Sequence, residues 1–394
     1  MALTDNGKRA LAHIKMHFPS GAFSAKDLSD ACGEKIVAAT LNAVANNGYL
    51  TKLGGSPVQY EAVDELLTLL ENMSAAEKKG CDNTNLASAK KDKNDEFYTR
   101  YEDIEAEVMK YRKQFRDKIV YLPCDDPAEK KSEFWSFFVN NFDTFGLKKL
   151  IATHYDENGK AYKIWIDADT TGDGYIDDAD ALQEDLEGNG DFRSPECIDI
   201  LKECDIVCTN PPFSLFREFF NILMQENKLF LIICPQNAFK YKDVFPFIKE
   251  GKVWAGYSFN KTFDFVMSDD YVLTKTGYVD EQGRKHGKVA STCWMTNMIV
   301  NKRTEEMVLT KKYNSVDYPN FDNYEAINVG RVENIPCDYD GIMGVPISFL
   351  GKHNPEQFEI IGEANHGSDN QYDLFKPVVD GKELFPRILI RRIK

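Results

Sequence analysis

The chain has 394 residues, 43% of them apolar, and a formal net charge of −15. That length holds two or three domains around a sizeable core. No uninterrupted apolar run approaches the roughly eighteen residues a membrane span needs, and no charged leader with an apolar core opens the chain, so a membrane partner is excluded and a cytoplasmic location is expected. Nine cysteines without paired short spacings read as reduced, mostly buried thiols, and the overall acidity argues against a simple binder of nucleic-acid phosphates.

Residues 1–72 read as a winged-helix-like module. Helices are expected over 7–18, over 24–32 with Ser24 as the cap, and over 34–46, followed by a hairpin of 49–53 and 58–62 around Gly54-Gly55. Leu28, Val37, Leu41, Val44 and Leu50 would form its core. The 34–46 helix would face a DNA groove and present Lys35, Asn42, Asn46 and Asn47. Six lysine or arginine residues against seven Asp or Glu in residues 1–70 leave the module near neutral, so a role in protein association stands beside DNA contact. A polar linker, 73–95, follows, with Lys78-Lys79-Gly80 and Lys90-Lys91-Asp92-Lys93.

Residues 96–301 alternate strand-like and helix-like segments, the α/β pattern of a doubly wound sheet. Strands are expected over 119–122, 149–153, 205–209, 229–233, 253–256 and 293–300, and helices over 103–115, 132–142, 215–226 and 244–250. Ligands of such sheets sit outside the carboxyl ends of the strands, which here are 123–127, 153–156 and 210–213. An acidic insertion spans 157–189. Residues 167–191 carry ten Asp or Glu and no lysine or arginine, which leaves the remainder of the chain at −5, while the last fourteen residues carry +4. A globally acidic chain of this kind can still present a basic face. Within the insertion, residues 169–180 resemble a calcium loop, with Asp169, Thr171, Asp173, Gly174, Ile176 and Asp180 at positions 1, 3, 5, 6, 8 and 12. Thr171 and Asp180 depart from the usual hand, and a solvated hairpin tip is the other reading; calcium, if bound, would be structural. The C-terminal extension, 302–394, is rich in aromatics, proline and glycine, and 320–323, 339–344 and 387–394 are the places expected to carry target recognition.

The most informative run is Asp205-Ile206-Val207-Cys208-Thr209-Asn210-Pro211-Pro212-Phe213. Two prolines can neither donate to a ladder nor continue a helix, so the chain must leave the sheet at Asn210 and turn rigid carbonyls toward a pocket. An exocyclic amine is a poor nucleophile. Acceptors at the Asn210 side chain and the Pro211 carbonyl would draw electron density onto its nitrogen as a methyl group arrives, and Phe213 would stack the base. Asn210, Pro211, Pro212 and Phe213 are therefore the expected catalytic residues.

Phe97-Tyr98-Thr99, the run 120–127, Gly190-Asp191-Phe192-Arg193-Ser194 and the run 209–216, followed by stretches near 237–242, 294–297, 339–346 and 354–359, resemble the EcoRI-like adenine-specific DNA methyltransferases in content and order. The resemblance runs from about Asn94 onward. It implies a Rossmann-like fold, S-adenosylmethionine as cofactor, double-stranded DNA as substrate, N6-methyladenine made by base flipping and no catalytic metal; the enzyme is either solitary or one of a restriction-modification pair with a cognate restriction endonuclease. By the same resemblance Cys124, Asp125 and Asp126 face the methionine end of the cofactor, Tyr98 and Thr99 pack over it, Asp191 accepts the cofactor adenine's amine, and Phe192 lies against that ring. Asp156 would accept ribose hydroxyls, although His154 or Tyr155 would serve as well. The glycine-rich turn common among methyltransferases is absent after the first strand, which leaves a helix-capping role open for Asp125 and Asp126. Methylation of cytosine N4, of RNA or of protein glutamine, and a non-catalytic DNA-binding regulator, are the competing readings.

Overall fold

A computed structural model describes residues 10, 14, 22–32, 36–46, 50–54, 57–62, 97–125, 133–157, 160–259, 261–268, 271–365 and 376–393. They divide between two units, Met1–Thr84 and Asn85–Lys394.

In the first unit β1 (Phe23–Ser24) leads into α1 (Ala25–Cys32), followed by α2 (Ala38–Asn46), β2 (Leu50–Gly54) and β3 (Gln59–Ala62), and the strands pair antiparallel in the order β1-β3-β2. The expected cap is present. Ser24 Oγ accepts from the Asp27 amide at 3.2 Å while the Asp27 carboxylate accepts from the Ser24 amide at 2.8 Å, a reciprocal box that satisfies donors at the start of α1. Ala10, Ile14, Phe23, Leu28, Leu41, Val44, Leu50 and Tyr60 form the core. Val37, expected among them, is 46% exposed, because it precedes α2 and does not share its inward face. Asn42 accepts a hydrogen bond from the Tyr60 hydroxyl at 3.1 Å and so is engaged within the unit. Lys35, Asn47, most of the expected first helix and the linker lie outside the described residues.

The second unit is built on one sheet of eleven strands among the described residues: β4 (Phe97–Tyr98), β5 (Ile119–Leu122), β6 (Lys149–His154), β7 (Tyr162–Ile166), β8 (Leu182–Asp185), β9 (Ile206–Thr209), β10 (Leu229–Pro235), β11 (Trp254–Ala255), β12 (Lys261–Met267), β13 (Tyr278–Val279) and β14 (Lys285–Thr296). Their order is β4-β12-β14-β10-β9-β5-β6-β7-β8, with β11 and β13 also on β14. Only the centre, β10-β9-β5-β6, is parallel. These strands are nearly continuous apolar runs because both of their faces are covered. One face packs on α3 (Tyr101–Val108), α4 (Phe134–Asn140) and α5 (Phe142–Phe145) through Ile104, Val108, Phe134, Phe137, Phe138 and Phe145. On the other face lie α6 (Pro195–Glu203), α7 (Phe216–Gln225) and α8 (Phe245–Lys249), which contribute Leu201, Phe216, Phe220, Leu223 and Ile248.

The architecture is therefore mixed α/β and consistent with a methyltransferase fold, but the parallel alternation expected from the sequence stops at β10. The segment expected over 293–300 is the end of the twelve-residue β14, which runs antiparallel to β10, and that expected over 253–256 reduces to the two-residue β11. The strands β7 and β8 flank the acidic loop and extend the sheet antiparallel.

Beyond β14, β15 (Ile327–Asn328), β16 (Met343–Val345), β17 (Phe358–Ala364), the hairpin β18 (Val378–Val379) and β19 (Lys382–Glu383), and β20 (Arg387–Arg392) follow, with a sheet order β15-β16-β20-β17. Met343, Val345, Phe358, Ile360, Ile388 and Ile390 join the same hydrophobic core as α7 and α8. The basic end is partly engaged inside this sheet: Arg391 pairs with Glu359 at 2.6 Å, Arg392 with Asp340 at 3.1 Å, and Arg387 donates to Asn328 and to the Phe385 carbonyl. Among the described residues no helix is long and apolar enough to cross a membrane.

Candidate active site

β5 and β9 run side by side, and their first residues are pinned by Asp205, whose amide donates to the Ile119 carbonyl at 2.9 Å while its carboxylate accepts from the Ile119 amide at 2.9 Å. This register carries Pro123-Cys124-Asp125 and Asn210-Pro211-Pro212-Phe213 to the same end of the sheet. There Thr209 Oγ1 donates to Asp125 Oδ2 at 3.0 Å, with both residues buried, so the two turns are locked together.

At Asn210 the side-chain amide donates through Nδ2 to the Phe97 carbonyl, and Oδ1 is buried without a hydrogen-bond partner. A carbonyl only accepts, so the group facing it must be the NH2, and the orientation of the Asn210 amide is chemically forced. A buried acceptor left unmade costs about 1–3 kcal/mol, a cost that an incoming donor removes. Pro211 is buried, and the Pro212 carbonyl accepts from the Leu215 amide at 3.0 Å to close the turn into α7. Phe213 is only 7% exposed and packs on Phe97 with ring centroids 5.3 Å apart. The open aromatic face expected there is thus covered by Phe97. Neither Phe97 nor Thr209 was singled out from the sequence as a site residue; Phe97 opens the motif Phe97-Tyr98-Thr99, and Thr209 immediately precedes Asn210, which were the signals available.

The residues expected at the cofactor lie around the neighbouring strand ends. Thr99 is buried, with Oγ1 unpartnered, and Tyr98 is half-buried on β4. Asp125 is 2% exposed. Burial pushes the Cys124 thiol well above its ordinary range and the nearby carboxylates of Asp125 and Asp191 add to this, so Cys124 stays protonated and is no nucleophile. Asp126 lies outside the described residues. Asp156 follows β6, and its amide donates to the Asn189 carbonyl at 3.0 Å. That bond brings the 189–192 loop onto the end of β6, where Gly190 has φ +76° and a Cβ would stand 2.2 Å from the His154 carbonyl oxygen, so only glycine fits. His154 stacks on Tyr162, and Tyr155 is exposed.

Asp191 is more engaged than its expected role suggests. Its carboxylate receives Arg193 through the amide at 2.8 Å, Nε at 2.9 Å and Nη2 at 2.6 Å, and this fork holds its pKa below the usual range. Phe192 is buried, edge-on to Phe219 with Arg193 over its ring. In the acidic loop, Asp169 accepts from the amides of Gly172 and Gly174, and Asp180 from those of Thr170, Thr171 and Asp177. Their oxygens serve the loop's own backbone, and among the described residues no grouping could hold a metal ion.

Residues 85–392 match the protein family described as Adenine-specific methyltransferase EcoRI. The chain belongs to that family. It is similar to the Type II methyltransferase M.EcoRI of Escherichia coli, at 44% identity over 78% of this chain and 95% of the relative. It is also similar to the Type II methyltransferases M.MgeORF184P of Mycoplasma genitalium and M.MpnI of Mycoplasma pneumoniae, at 40% and 38% identity, each over 69% of this chain and over 84% and 83% of the relatives. No solved structure matches the chain. Membership makes this an adenine-specific DNA methyltransferase, and S-adenosylmethionine is the methyl donor that membership implies.

Proposed function

We propose that this chain methylates the N6 amine of an adenine flipped out of a specific duplex DNA sequence. The observation that carries the reading is the Asn210 amide, turned by the Phe97 carbonyl so that Oδ1 is a buried acceptor without a donor. With the Pro211 carbonyl it forms a pair of acceptors suited to an sp² amine, and acceptors placed before reaction stabilise the positive charge that develops on nitrogen. Extruding a base costs a few kcal/mol, and base–aromatic stacking returns about 1–3 kcal/mol. For Phe213 to supply that stacking, the base must reach its remaining exposed edge or displace Phe97.

The residues present fit S-adenosylmethionine: the buried Asp125 carboxylate complements an ammonium group, and the unpartnered Thr99 hydroxyl awaits a polar atom. When bound, the cofactor supplies an electrophilic methyl group. Tyr98, Thr99, Cys124 and Asp125 line its methionine end in this reading, while Asp156, Asp191 and Phe192 bound the nucleoside end, with Asp191 also bracing Arg193. Residues 1–72 act as a winged-helix-like module that contacts DNA or a partner protein, 73–95 as a linker, 96–301 as the catalytic region and 302–394 as the target-recognition extension. The enzyme works either alone or as one of a restriction-modification pair, in which a cognate restriction endonuclease is the partner.

Asn210→Ala tests the mechanism. Methyl transfer to unmethylated plasmid DNA should fall by about 10²-fold or more while S-adenosylmethionine affinity stays within twofold. Near-wild-type turnover would refute the assignment.

A further inference from the structure

On the strands that pair with β4, the strand of Phe97 and Tyr98, lies a clasp of polar side chains around the buried His286. Four strands pair in one row, Tyr278 to His286, His286 to Val266 and Val266 to Tyr98, and directly paired residues share a face of the sheet. Asp264 and Asp280 stand two residues from Val266 and Tyr278 and therefore share that face. The His286 ring is 3% exposed, with Nε2 3.0 Å from Asp280 Oδ2 and Nδ1 3.4 Å from Asp264 Oδ1. Tyr278 stacks on the ring at 4.6 Å and donates its hydroxyl to Asp264 Oδ2 at 2.7 Å. Arg284 closes the network on Asp280 at 2.8 Å, and Arg100 spans Asp103 at 2.8 Å and Asp264 at 3.8 Å, while Lys288 pairs opposite Asp264. Tyr98 of this row and Arg100 of this network flank Thr99, two residues beyond Phe97.

We propose that His286, bonded to Asp280 through Nε2 and stacked on Tyr278, whose hydroxyl holds Asp264, is a positioning residue for methyl transfer: it fixes β12 and β13 on β14, and thereby fixes the Phe97–Thr99 segment whose carbonyl orients Asn210. The ring reaches no reacting atom. Its effect passes along the row to Tyr98 and from there to the Phe97 carbonyl, one residue away. A loosened clasp shifts the Asn210 acceptor relative to the target amine, and displacements of about 1 Å in a reacting group cost up to roughly 10²-fold in rate. The bonds also explain the charge state of Asp280: burial works against ionisation, but the bonds from His286 and Arg284 hold its carboxyl well below the usual range.

The inference rests on the Asn210 reading, so the test carries both. Single-turnover methylation of unmethylated plasmid DNA is measured with full-length His286→Gln, Tyr278→Phe, Asp280→Asn, Asp280→Glu and Asn210→Ala, alongside KM for DNA and the thermal midpoint. The clasp predicts that the methyl-transfer rate of His286→Gln and Asp280→Asn falls about fivefold or more with KM for DNA within twofold, and that Asp280→Glu recovers most of it. Should His286→Gln fail to fold, Tyr278→Phe decides, since it keeps the stacked ring, removes one hydroxyl at a 41% exposed residue and should lower the rate about threefold. Wild-type rates in all the clasp variants with only a lowered thermal midpoint would overturn the clasp while a dead Asn210→Ala left the mechanism standing. An active Asn210→Ala would remove the mechanism and the clasp together.

Discussion

The chemistry of this site is decided by which polar atoms are left unmade. Asn210 Oδ1 and Thr99 Oγ1 are buried acceptors without partners, whereas the oxygens of Asp169 and Asp180 are taken up by backbone amides. In the proposed reading the first pair meets the target amine and the cofactor. Asp125 differs from both: it is buried and accepts from Thr209, and in the proposed reading its negative charge is what complements the cofactor's ammonium group. Asp125→Asn preserves the side-chain shape and can still accept from Thr209, but it removes the charge. S-adenosylmethionine affinity should fall by about 1–3 kcal/mol, measured by calorimetry, with the thermal midpoint little changed. Equal affinity in the variant would place the ammonium elsewhere.

At the scale of elements, the loop that follows β8 is shaped by a single residue. Gly190→Ala would place a methyl group 2.2 Å from the His154 carbonyl oxygen in a left-handed conformation, so the 189–192 loop must leave the end of β6. The expected cost is about 2 kcal/mol or more in chemical denaturation, together with weakened cofactor binding through displaced Asp191 and Phe192. In β17, burial pushes the Glu363 carboxyl up to about 7, with the Lys240 ammonium opposing the shift. Because the folded state binds this proton more tightly than the unfolded chain, the stability it contributes is fully present below the usual carboxylate range and is lost as pH rises through about 7. Glu363→Gln removes the buried charge and should be more stable than wild type at pH 8 by about 1–3 kcal/mol, the difference shrinking toward pH 5. Identical denaturation midpoints at pH 8 would show that Glu363 does not titrate in this range.

For the whole molecule, the family match begins at residue 85, where the second unit begins, and the core of the first unit forms its own cluster. Removal of residues 1–84 should therefore leave cofactor affinity within twofold and adenine as the methylated base, while raising the dissociation constant for DNA if the module reads a groove. Gel shift and light scattering separate the two roles: normal DNA binding with an altered association state would assign the module to protein contact.

The sequence by itself determined the family, with its adenine methylation, and the central strands. Asn210-Pro211-Pro212-Phe213 after an apolar run is legible because proline geometry and strand burial are local facts, and β5, β6, β9 and β10 read as strands because a doubly covered strand is apolar along its length. The antiparallel half was not legible. β12 and most of β14 mix exposed and buried positions, and their pairing joins residues distant in the chain, such as Val266 with Tyr98. Only the tertiary structure decided that Phe97 covers Phe213 and turns the Asn210 amide, that Val37 is exposed, and that Asp191 is held by Arg193. Each depends on which side chain arrives from elsewhere to meet a donor, an acceptor or a ring, and residue type and spacing do not encode that meeting.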